Sequence, residues 1–506
     1  MVMRVTSQTQ QRSALNNIFR ITENMFNAQK QITSGKKIHK PSDDPSGMRD
    51  TLALRTNIKE VTQYNRNITN NKLFLTTGES ALSSVSLHLI RAKEMSVAEL
   101  GGQATAETRG YAREELDNII AKVLQDANTK VKSMYIFSGT AVNTSPFEVS
   151  ASGAVYKGNS DNLTIKIEEN TTVKLTLPGS QALGTDMNPK LTASTKLSSL
   201  NGGSGVQSGS ILITDRAGNT GKFNITSSMT IDNVITTIST MSNITASINS
   251  AGNGITLTDT SSLIANSLTV SEVDGGTTAA SLGILGKKDG NIVGADLDAT
   301  LSTDTLISDL YDGEGLNLGD IRIVNGATSG TVSLSSATTI GGAIDLINAA
   351  ASGTVTASID SAGNSLRVVS KNSSTIAVVN NVGSDTTAEE LGIGGGRNVL
   401  NTLLKLKQSL DKDDSQGILA SLANIDSGME AVNESMVFYG GITRRINSTE
   451  AGHHERIVNQ NEQILNIEGA DMVEAAAEFA SMEAALQASL STTARIIQPS
   501  LLDFLR

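Results

Sequence analysis

The sequence predicts an α+β multidomain protein: an antiparallel helical or coiled-coil domain built from both termini, with β-rich domains inserted between them. Three observations support this fold class. Apolar residues recur at heptad-like spacing near both ends, a long Gly-, Ser- and Thr-rich region separates those ends, and that region contains an internal duplication. At 506 residues the chain is too long for one hydrophobic core, so several domains are expected.

The apolar stripes at the two ends have the period of a coiled-coil seam. The first follows a 3-4-3-4 spacing and the second a 4-3-4-3 spacing. A short helix cannot bury such a stripe by itself, so we expect the ends to pair and the stripes to form a subunit interface. The stripe residues are Ile18, Ile21, Met25, Ala28 and Ile32 near the N-terminus, and Leu490, Ala494, Ile497, Leu501 and Phe504 near the C-terminus.

Residues 1–140 are predicted as the N-terminal helical segment. A first helix covers residues 7–33, and the Gly- and Pro-rich stretch 34–47 forms a loop in which Asp43 and Asp44 suit turns or a helix N-cap. A second helix is expected from Met48 to about Leu100, although Asn and Gly residues near its middle disfavour continuity. The third helix, 105–133, should face inward with Leu116, Ile119, Ile120, Val123 and Ala127.

The middle of the chain is predicted to be β-rich. Residues 141–194 show a hairpin pattern of short β-prone runs between turn residues. After them, ITASINSAGN at Ile244 matches VTASIDSAGN at Val355, and two further pairs lie at nearly the same separation, which indicates a duplication. We expect two β-β-α-β-β modules joined by a linker. Their ranges are 195–286 for the first module, 287–304 for the linker and 305–396 for the second module.

Residues 397–506 are predicted as the C-terminal helical segment, which pairs with the N-terminal one. Helices are expected at 398–410, at about 415–448 and from there through Leu502. Pro499 removes an amide donor and clashes with the preceding turn, so a kink is expected near Gln498. Between Ala484 and Leu505 only two residues are charged, which leaves too much apolar surface for a free tail. Burial within one chain would cover it, but burial completed by neighbouring subunits is the interpretation we favour.

Composition and motifs indicate no catalytic, cofactor-binding or metal site. The chain has no cysteine, which excludes disulfides and thiol catalysis, and its four histidines offer little material for a His-based site. The acidic stretch starting at Asp411 has Gln416 and Leu422 where a calcium loop needs Gly and a bidentate Glu, so a helix N-cap is expected instead. No phosphate-binding loop or hydrolase motif is present in its required context.

Charge and hydropathy restrict the partners and the location. A net charge of -11 disfavours nucleic acid as a partner, although the first forty residues are basic and form either a solvated helix face or a docking face for an acidic surface. No apolar run is long enough to span a membrane. The N-terminus lacks the apolar core of a cleavable signal, so composition alone indicates a cytoplasmic protein.

Two end motifs resemble the bacterial flagellin superfamily, and within it the hook-filament junction proteins, also called third hook-associated proteins. ITSGKKIHKPSDDPSGMR at Ile32–Arg49 resembles the loop between the first two helices of that family, and ALQASLSTTARIIQPSLLDFL at Ala485–Leu505 resembles the junction-protein tail. The middle modules resemble insertions found across the superfamily and do not choose between its members.

The resemblance implies a non-enzymatic structural subunit of the flagellum. It implies export through the flagellar type III apparatus by an uncleaved N-terminal signal, which overrides the cytoplasmic assignment and places the protein outside the cell. It further implies an adaptor ring between hook and filament. The implied partners are the first hook-associated protein, flagellin, further copies of this chain in the ring and a flagellar export chaperone, with no cofactor.

Two alternatives remain open at this stage. The chain could be flagellin itself, the filament subunit, in which case purified protein would grow long homopolymers. It could also be a surface adhesin that uses the middle repeats, in which case the isolated segment 195–396 would bind a host or matrix ligand.

Overall fold

The computed structural model describes residues 7–150, 153–351 and 353–497, and these form two compact units. Unit 1 contains the described residues up to Ile68, the short stretch Ile167–Glu169 and the described residues from Ile446 onward. Unit 2 contains Thr69–Lys166 and Asn170–Arg445. Long helices come from both ends of the chain and small antiparallel sheets from its middle, which confirms the predicted fold class.

The helices follow the predicted order, with three differences. The helix expected to reach residue 133 ends at Ala127, and a short strand follows at Lys130–Val131. The second helix is unbroken despite its Asn and Gly residues, and the predicted break after residue 448 is absent. The chain instead stays helical to Glu468, and Gly469 follows, where a Cβ would lie only 2.3 Å from the carbonyl oxygen of Leu465. In the described residues, the helices longer than four residues are α1 Ser7–Ser34, α2 Pro45–Ala98, α3 Ala106–Ala127, α4 Ile231–Ile238, α5 Ile340–Ala350, α6 Val399–Asp411, α7 Ser415–Glu468 and α8 Met472–Ile497.

Two local predictions about helices are confirmed. The helix α3 begins behind a capping box, in which the Thr105 hydroxyl accepts the Thr108 amide, and it buries all five residues that the sequence assigned to its inner face. The acidic stretch before α7 acts as an N-cap, because Asp414 Oδ1 accepts the Gly417 amide at 3.0 Å. Asp413, in the same stretch, pairs with Arg109.

Short strands form hairpins first and then the two copies of the duplication. The hairpins pair β1 Lys130–Val131 with β2 Met134–Tyr135, β3 Phe147–Ser150 with β4 Gly153–Tyr156, and β5 Thr164–Glu168 with β6 Thr171–Lys174. The first copy contains β7 Gly209–Thr214, β8 Thr220–Ile225, β9 Ile244–Ile248, β10 Ile255–Asp259, β11 Leu268–Glu272, β12 Gly286–Lys288 and β13 Ile292–Val293. The second contains β14 Asp320–Asn325, β15 Thr328–Ser333, β16 Val355–Ile359, β17 Leu366–Ser370 and β18 Ala377–Asn381.

Each copy has its own sheets and its own apolar core within unit 2. The first copy has the sheets β12-β11-β7-β8 and β13-β10-β9, and the second has β15-β14-β18 and β16-β17. The helices α4 and α5 bury one face each in these cores. In the described residues the first copy contains seven strands and the second contains five, where four were predicted in each. The segment 287–304 that was expected to be a linker contains β13 and most of β12.

Candidate assembly interface

The helices α1 and α8, from opposite ends of the chain, pack against each other in unit 1. Residues just beyond the paired ends join them, because the Ala470 amide donates to the Gly35 carbonyl at 3.0 Å and Lys36 forms an isolated β-bridge with Gly469. The C-terminal end of α1 therefore meets the N-terminal end of α8, and the pair is antiparallel. The ends of the chain pair, as the sequence predicts.

The N-terminal stripe lies on the face of α1 that is withdrawn from solvent. Ala28 is buried, and Ile18, Ile21, Met25 and Ile32 are half-buried, whereas most other described side chains of this helix are exposed. The spacing read from the sequence therefore identifies the packed face of α1. Whether these residues also contact a neighbouring subunit stays a prediction.

The described residues of the C-terminal stripe do not lie on the face of α8 that packs on α1, and whether they contact a neighbouring subunit stays a prediction. Leu490 and Ala494 are exposed, so they are not on the packed face of α8. The side chains of Ile497, Leu501 and Phe504, and the expected kink at Pro499, lie outside the residues described. Buried and half-buried positions of α8 repeat at the same 4-3 spacing in another register, at Ala475, Phe479, Met482, Leu486, Ser489 and Thr493, and Ala485 beside them is also half-buried.

A buried carboxylate fixes the junction between the two helices. The Glu468 side chain is only 6% exposed, and its Oε2 accepts from Lys36 Nζ at 3.0 Å and from Arg55 Nη2 at 2.6 Å. The Glu468 carbonyl accepts the Lys37 amide at 2.7 Å. One residue at the end of α7 thus holds the loop after α1 and the start of α2, and charge-assisted bonds of this kind are among the stronger hydrogen bonds in proteins.

The loop between α1 and α2 is ordered by its two aspartates. Asp43 Oδ2 accepts the amides of His39 and Lys40, and these bonds, led by that from His39, lower the pKa of Asp43. Asp44 Oδ1 accepts the Gly47 amide at 3.0 Å and so caps α2, where Pro45 occupies the first helical position. Both aspartates are turn and cap residues, as the sequence predicts.

Both helices also carry exposed apolar side chains, and those of α1 form a second stripe. On α1, Leu15, Phe19 and Phe26 are exposed, Phe19 by 70%. On α8, Met472, Val473 and Leu490 are exposed in the same way. Sequence reasoning missed the two phenylalanines, although positions 15, 19 and 26 fit a 4-3-4 spacing whose third position is Thr22. Large exposed apolar side chains in this number indicate a surface that is covered in an assembly.

One histidine of unit 1 is buried near the stretch Ile167–Glu169. His453 of α7 is 3% exposed, and its Nδ1 lies 2.7 Å from Asn65 Oδ1 of α2. Its Nε2 has no hydrogen-bond partner and lies 3.9 Å from Glu168. Burial lowers the pKa of His453, although the Glu168 carboxylate opposes that effect.

Within residues 7–150, 153–351 and 353–497, no group of three or more His, Cys, Asp or Glu side chains is arranged to hold a metal ion. In the same described part of the chain, no helix combines the length and the apolar character needed to cross a bilayer.

Both ends of the chain match models of one protein family. Residues 5–142 match the bacterial flagellin N-terminal helical region, and residues 422–505 match the bacterial flagellin C-terminal helical region. These matches contain α1 with the loop after it and all of α8, which are the elements of the helix pair. The resemblance to the flagellin superfamily is thereby confirmed.

Individual relatives match more weakly and over part of their length. The chain is 28% identical over 113 residues to the flagellar filament 33 kDa core protein of Treponema phagedenis, covering 22% of this chain and 38% of that protein. It is 25% identical over 182 residues to flagellar hook-associated protein 3 of Salmonella typhimurium, covering 35% of this chain and 56% of that protein. The chain therefore matches about two fifths of the length of the filament protein and somewhat over half of the length of the hook-associated protein.

The solved structures to which this chain is similar include flagellar proteins. One is FlgL of Xanthomonas campestris, with 13% identity, a TM-score of 0.38, and coverage of 81% of this chain and 99% of that one. Another is the flagellar junction protein FlgL of Legionella pneumophila, with 15% identity, a TM-score of 0.35, and coverage of 83% and 99%.

Proposed function

Because the chain carries both terminal helical regions of the bacterial flagellin family, we propose that it is a non-enzymatic structural subunit of the flagellum that forms the adaptor ring between hook and filament. The location is extracellular, and export through the flagellar type III apparatus delivers the chain there. The hook-associated relative supports the junction position, since its match extends over more of this chain than that of the filament protein from Treponema phagedenis.

The proposed partners lie on the two sides of the ring and within it. The first hook-associated protein is the neighbour on the hook side, flagellin on the filament side, and further copies of this chain complete the ring. A flagellar export chaperone would hold the chain before export. The tail motif at Ala485–Leu505 supports this choice, because it resembles junction proteins more than flagellins.

The proposal rests on the presence of two apolar faces on the helix pair. One stripe of α1 packs on α8, while Phe19 and Phe26 on another face are left in water. Burial of apolar area is worth about 25 cal/mol per Å², so neighbours that cover these rings would stabilise an assembly without covalent links. A monomeric binding protein or enzyme has no need for two apolar faces on its terminal helices.

A matched pair of substitutions on α1 separates assembly from folding. Phe19→Asp changes the exposed stripe, and Ile21→Asp places a charge on the face packed against α8. We expect Phe19→Asp to keep the wild-type melting temperature and to be exported, while the cells lose filaments and release flagellin into the medium. Ile21→Asp should lower the melting temperature, because the seam would contain an unpaired charge. Normal filaments with Phe19→Asp would contradict the proposed interface.

Export is tested separately by two deletions. Deleting residues 2–30 removes the proposed N-terminal address and should leave the protein inside the cell, whereas deleting residues 195–394 removes the duplicated region and should not. Recovery of the first deletion in the medium at the wild-type level would contradict this route of export.

A filament subunit is the second candidate, because several similar relatives are filament core proteins, including that of Treponema phagedenis. Self-assembly distinguishes the two. A filament subunit grows long homopolymers from purified protein, whereas a junction subunit does not grow without hook ends.

A further inference from the structure

The duplication in unit 2 begins earlier than the strands suggest. GTDMNPKLTASTKLSSL at Gly184–Leu200 aligns with GADLDATLSTDTLISDL at Gly294–Leu310. In this alignment the tripeptide Asp186–Asn188 corresponds to Asp296–Asp298, and each tripeptide immediately precedes the copy to which it belongs in sequence. Where each tripeptide packs is therefore informative about how the copies are joined.

The two tripeptides are exchanged between the copies. Met187 precedes the first copy, yet its side chain lies in the core of the second, and its amide donates to the Asn364 carbonyl at 2.9 Å. Leu297 precedes the second copy, yet it lies in the core of the first, and its amide donates to the Asn253 carbonyl at 2.8 Å. Asn253 and Asn364 are equivalent, since each ends one of the matching SAGN sequences.

The exchange brings one side chain of each tripeptide toward the other. Asn188 Nδ2 donates to Asp296 Oδ2 at 3.1 Å and to Asp312 Oδ1 at 2.9 Å, so this half of the crossing joins an amide to carboxylates. The equivalent half has Asp298 in place of Asn188 and Asp186 in place of Asp296. Two carboxyl groups therefore occupy the positions that a hydrogen-bonded amide and carboxylate occupy in the related half.

Asp186 is buried and Asp298 is half-buried, and two carboxyl groups in such positions favour holding a proton. Burial and, next, the charge of Asp298 raise the pKa of Asp186 well above its ordinary value. Burial, followed by neighbouring carboxylates, raises the pKa of Asp298 to about 7 and that of Asp296 to about 6. The charged or titratable groups around Asp298 are Asp161, Asp186, Asp296, Asp312 and Tyr156, together with Glu148 and Lys157 in the adjoining cavity, which pair with each other.

We propose that the exchanged tripeptides form a proton-dependent clasp between the two copies. The clasp is closed while Asp186 or Asp298 holds a proton, and it loosens when that proton is lost. The sign of the effect follows from proton binding. The closed state holds a proton that the open state has released between the ordinary carboxyl pKa of 3.8 and about 7. The closed state therefore becomes less stable as pH rises through this window, and its stability changes little at higher pH.

The sister half of the crossing supplies the test substitution. Asp298→Asn places a side-chain amide at the position equivalent to Asn188, and this amide can donate to ionised Asp186. Asn188→Asp makes the opposite change and places a second carboxyl beside Asp296. Hydrogen exchange of the full-length protein, read by mass spectrometry on peptides that contain Met187 or Leu297, reports opening of the clasp once rates are corrected for intrinsic exchange at each pH.

In the wild type, we expect protection in both peptides to fall by up to about a hundredfold between pH 5 and pH 8, because one released proton changes the opening equilibrium about tenfold per pH unit within the window. Asp298→Asn should remove most of this dependence, and Asn188→Asp should increase it. Equal protection of the wild type at both pH values would overturn the clasp, as would an unchanged pH dependence in Asp298→Asn. Failure of Asp298→Asn to fold would also overturn it, since the amide is expected to stabilise the crossing.

Discussion

The close packing of α2 against Tyr439 depends on one glycine, and replacing it is the most informative test of the packing in unit 2. Gly78 lies in the middle of this helix, and a Cβ there would lie 2.6 Å from Cζ, 2.7 Å from Cε1 and 2.9 Å from the hydroxyl oxygen of Tyr439. Ordinary carbon contacts are about 3.5–4.0 Å. Tyr439 is fully buried, and its hydroxyl accepts the Leu177 amide at 3.1 Å. The ring therefore cannot move aside without breaking that bond.

The expected cost of Gly78→Ala combines three effects. Overpacking costs about 1–3 kcal/mol, and a buried amide left without its acceptor at Leu177 costs about 1–3 kcal/mol. The higher helix propensity of alanine returns about 1 kcal/mol. We therefore expect the free energy of unfolding to fall by about 1–5 kcal/mol, measured by urea denaturation followed by circular dichroism.

Gly440→Ala is the matched control, because Gly440 lies beside Tyr439 within α7 and a Cβ there meets no atom within 4 Å. We expect this variant to be more stable than the wild type by up to about 1 kcal/mol, from helix propensity alone. If Gly78→Ala were as stable as Gly440→Ala, the close packing of Gly78 and Tyr439 would be refuted.

Two further predictions concern unit 1. Glu468→Gln should lower the free energy of unfolding by about 0.5–1.5 kcal/mol at low salt and by less at high salt, because Lys36 and Arg55 remain partly in water. Urea denaturation at the two salt concentrations measures this change. The control is Glu455→Gln, at an exposed position of the same helix, which should have no such effect. Burial lowers the pKa of His453, so its folded state binds fewer protons than the unfolded state, and local stability should fall as pH decreases through the ordinary value of 6.5. His453→Gln should remove this loss in hydrogen exchange of the surrounding peptides, and a loss of equal size in the variant would assign it to another group.

The sequence predicted the packed face of α1 but not that of α8, and side-chain size explains the difference. In α1, the packed register is apolar at every stripe position from Ile18 to Ile32, whereas the exposed register of Phe19 and Phe26 is interrupted by the polar Thr22. In α8, small residues such as Ala475 and Ser489 occupy the packed face, while the larger Leu490 points to solvent. Apolar character therefore fits more than one register in α8, and spacing cannot choose between them.

Other features depend on contacts that the sequence pattern does not contain. From the sequence alone, Gly78 suggests a break in the helix. In the structure, the ring of Tyr439, which is far away in sequence, occupies the space beside Gly78. Short strands such as Gly286–Lys288 have no periodic pattern, which explains why a linker was expected in their place. The exchange of Met187 and Leu297 between copies follows from topology, since equivalent sequences give no sign of which copy each one joins.

The position of the protein in the flagellum is the central claim, and labelling tests it most directly. The chain has no cysteine, so Gly330→Cys in the exposed strand β15, where a Cβ meets no atom within 4 Å, creates one unique attachment point. Gold coupled to this cysteine on intact cells should appear in electron micrographs as a single cluster per flagellum, at the boundary between hook and filament. Gold distributed along the whole filament would contradict the junction proposal and identify the chain as a filament subunit.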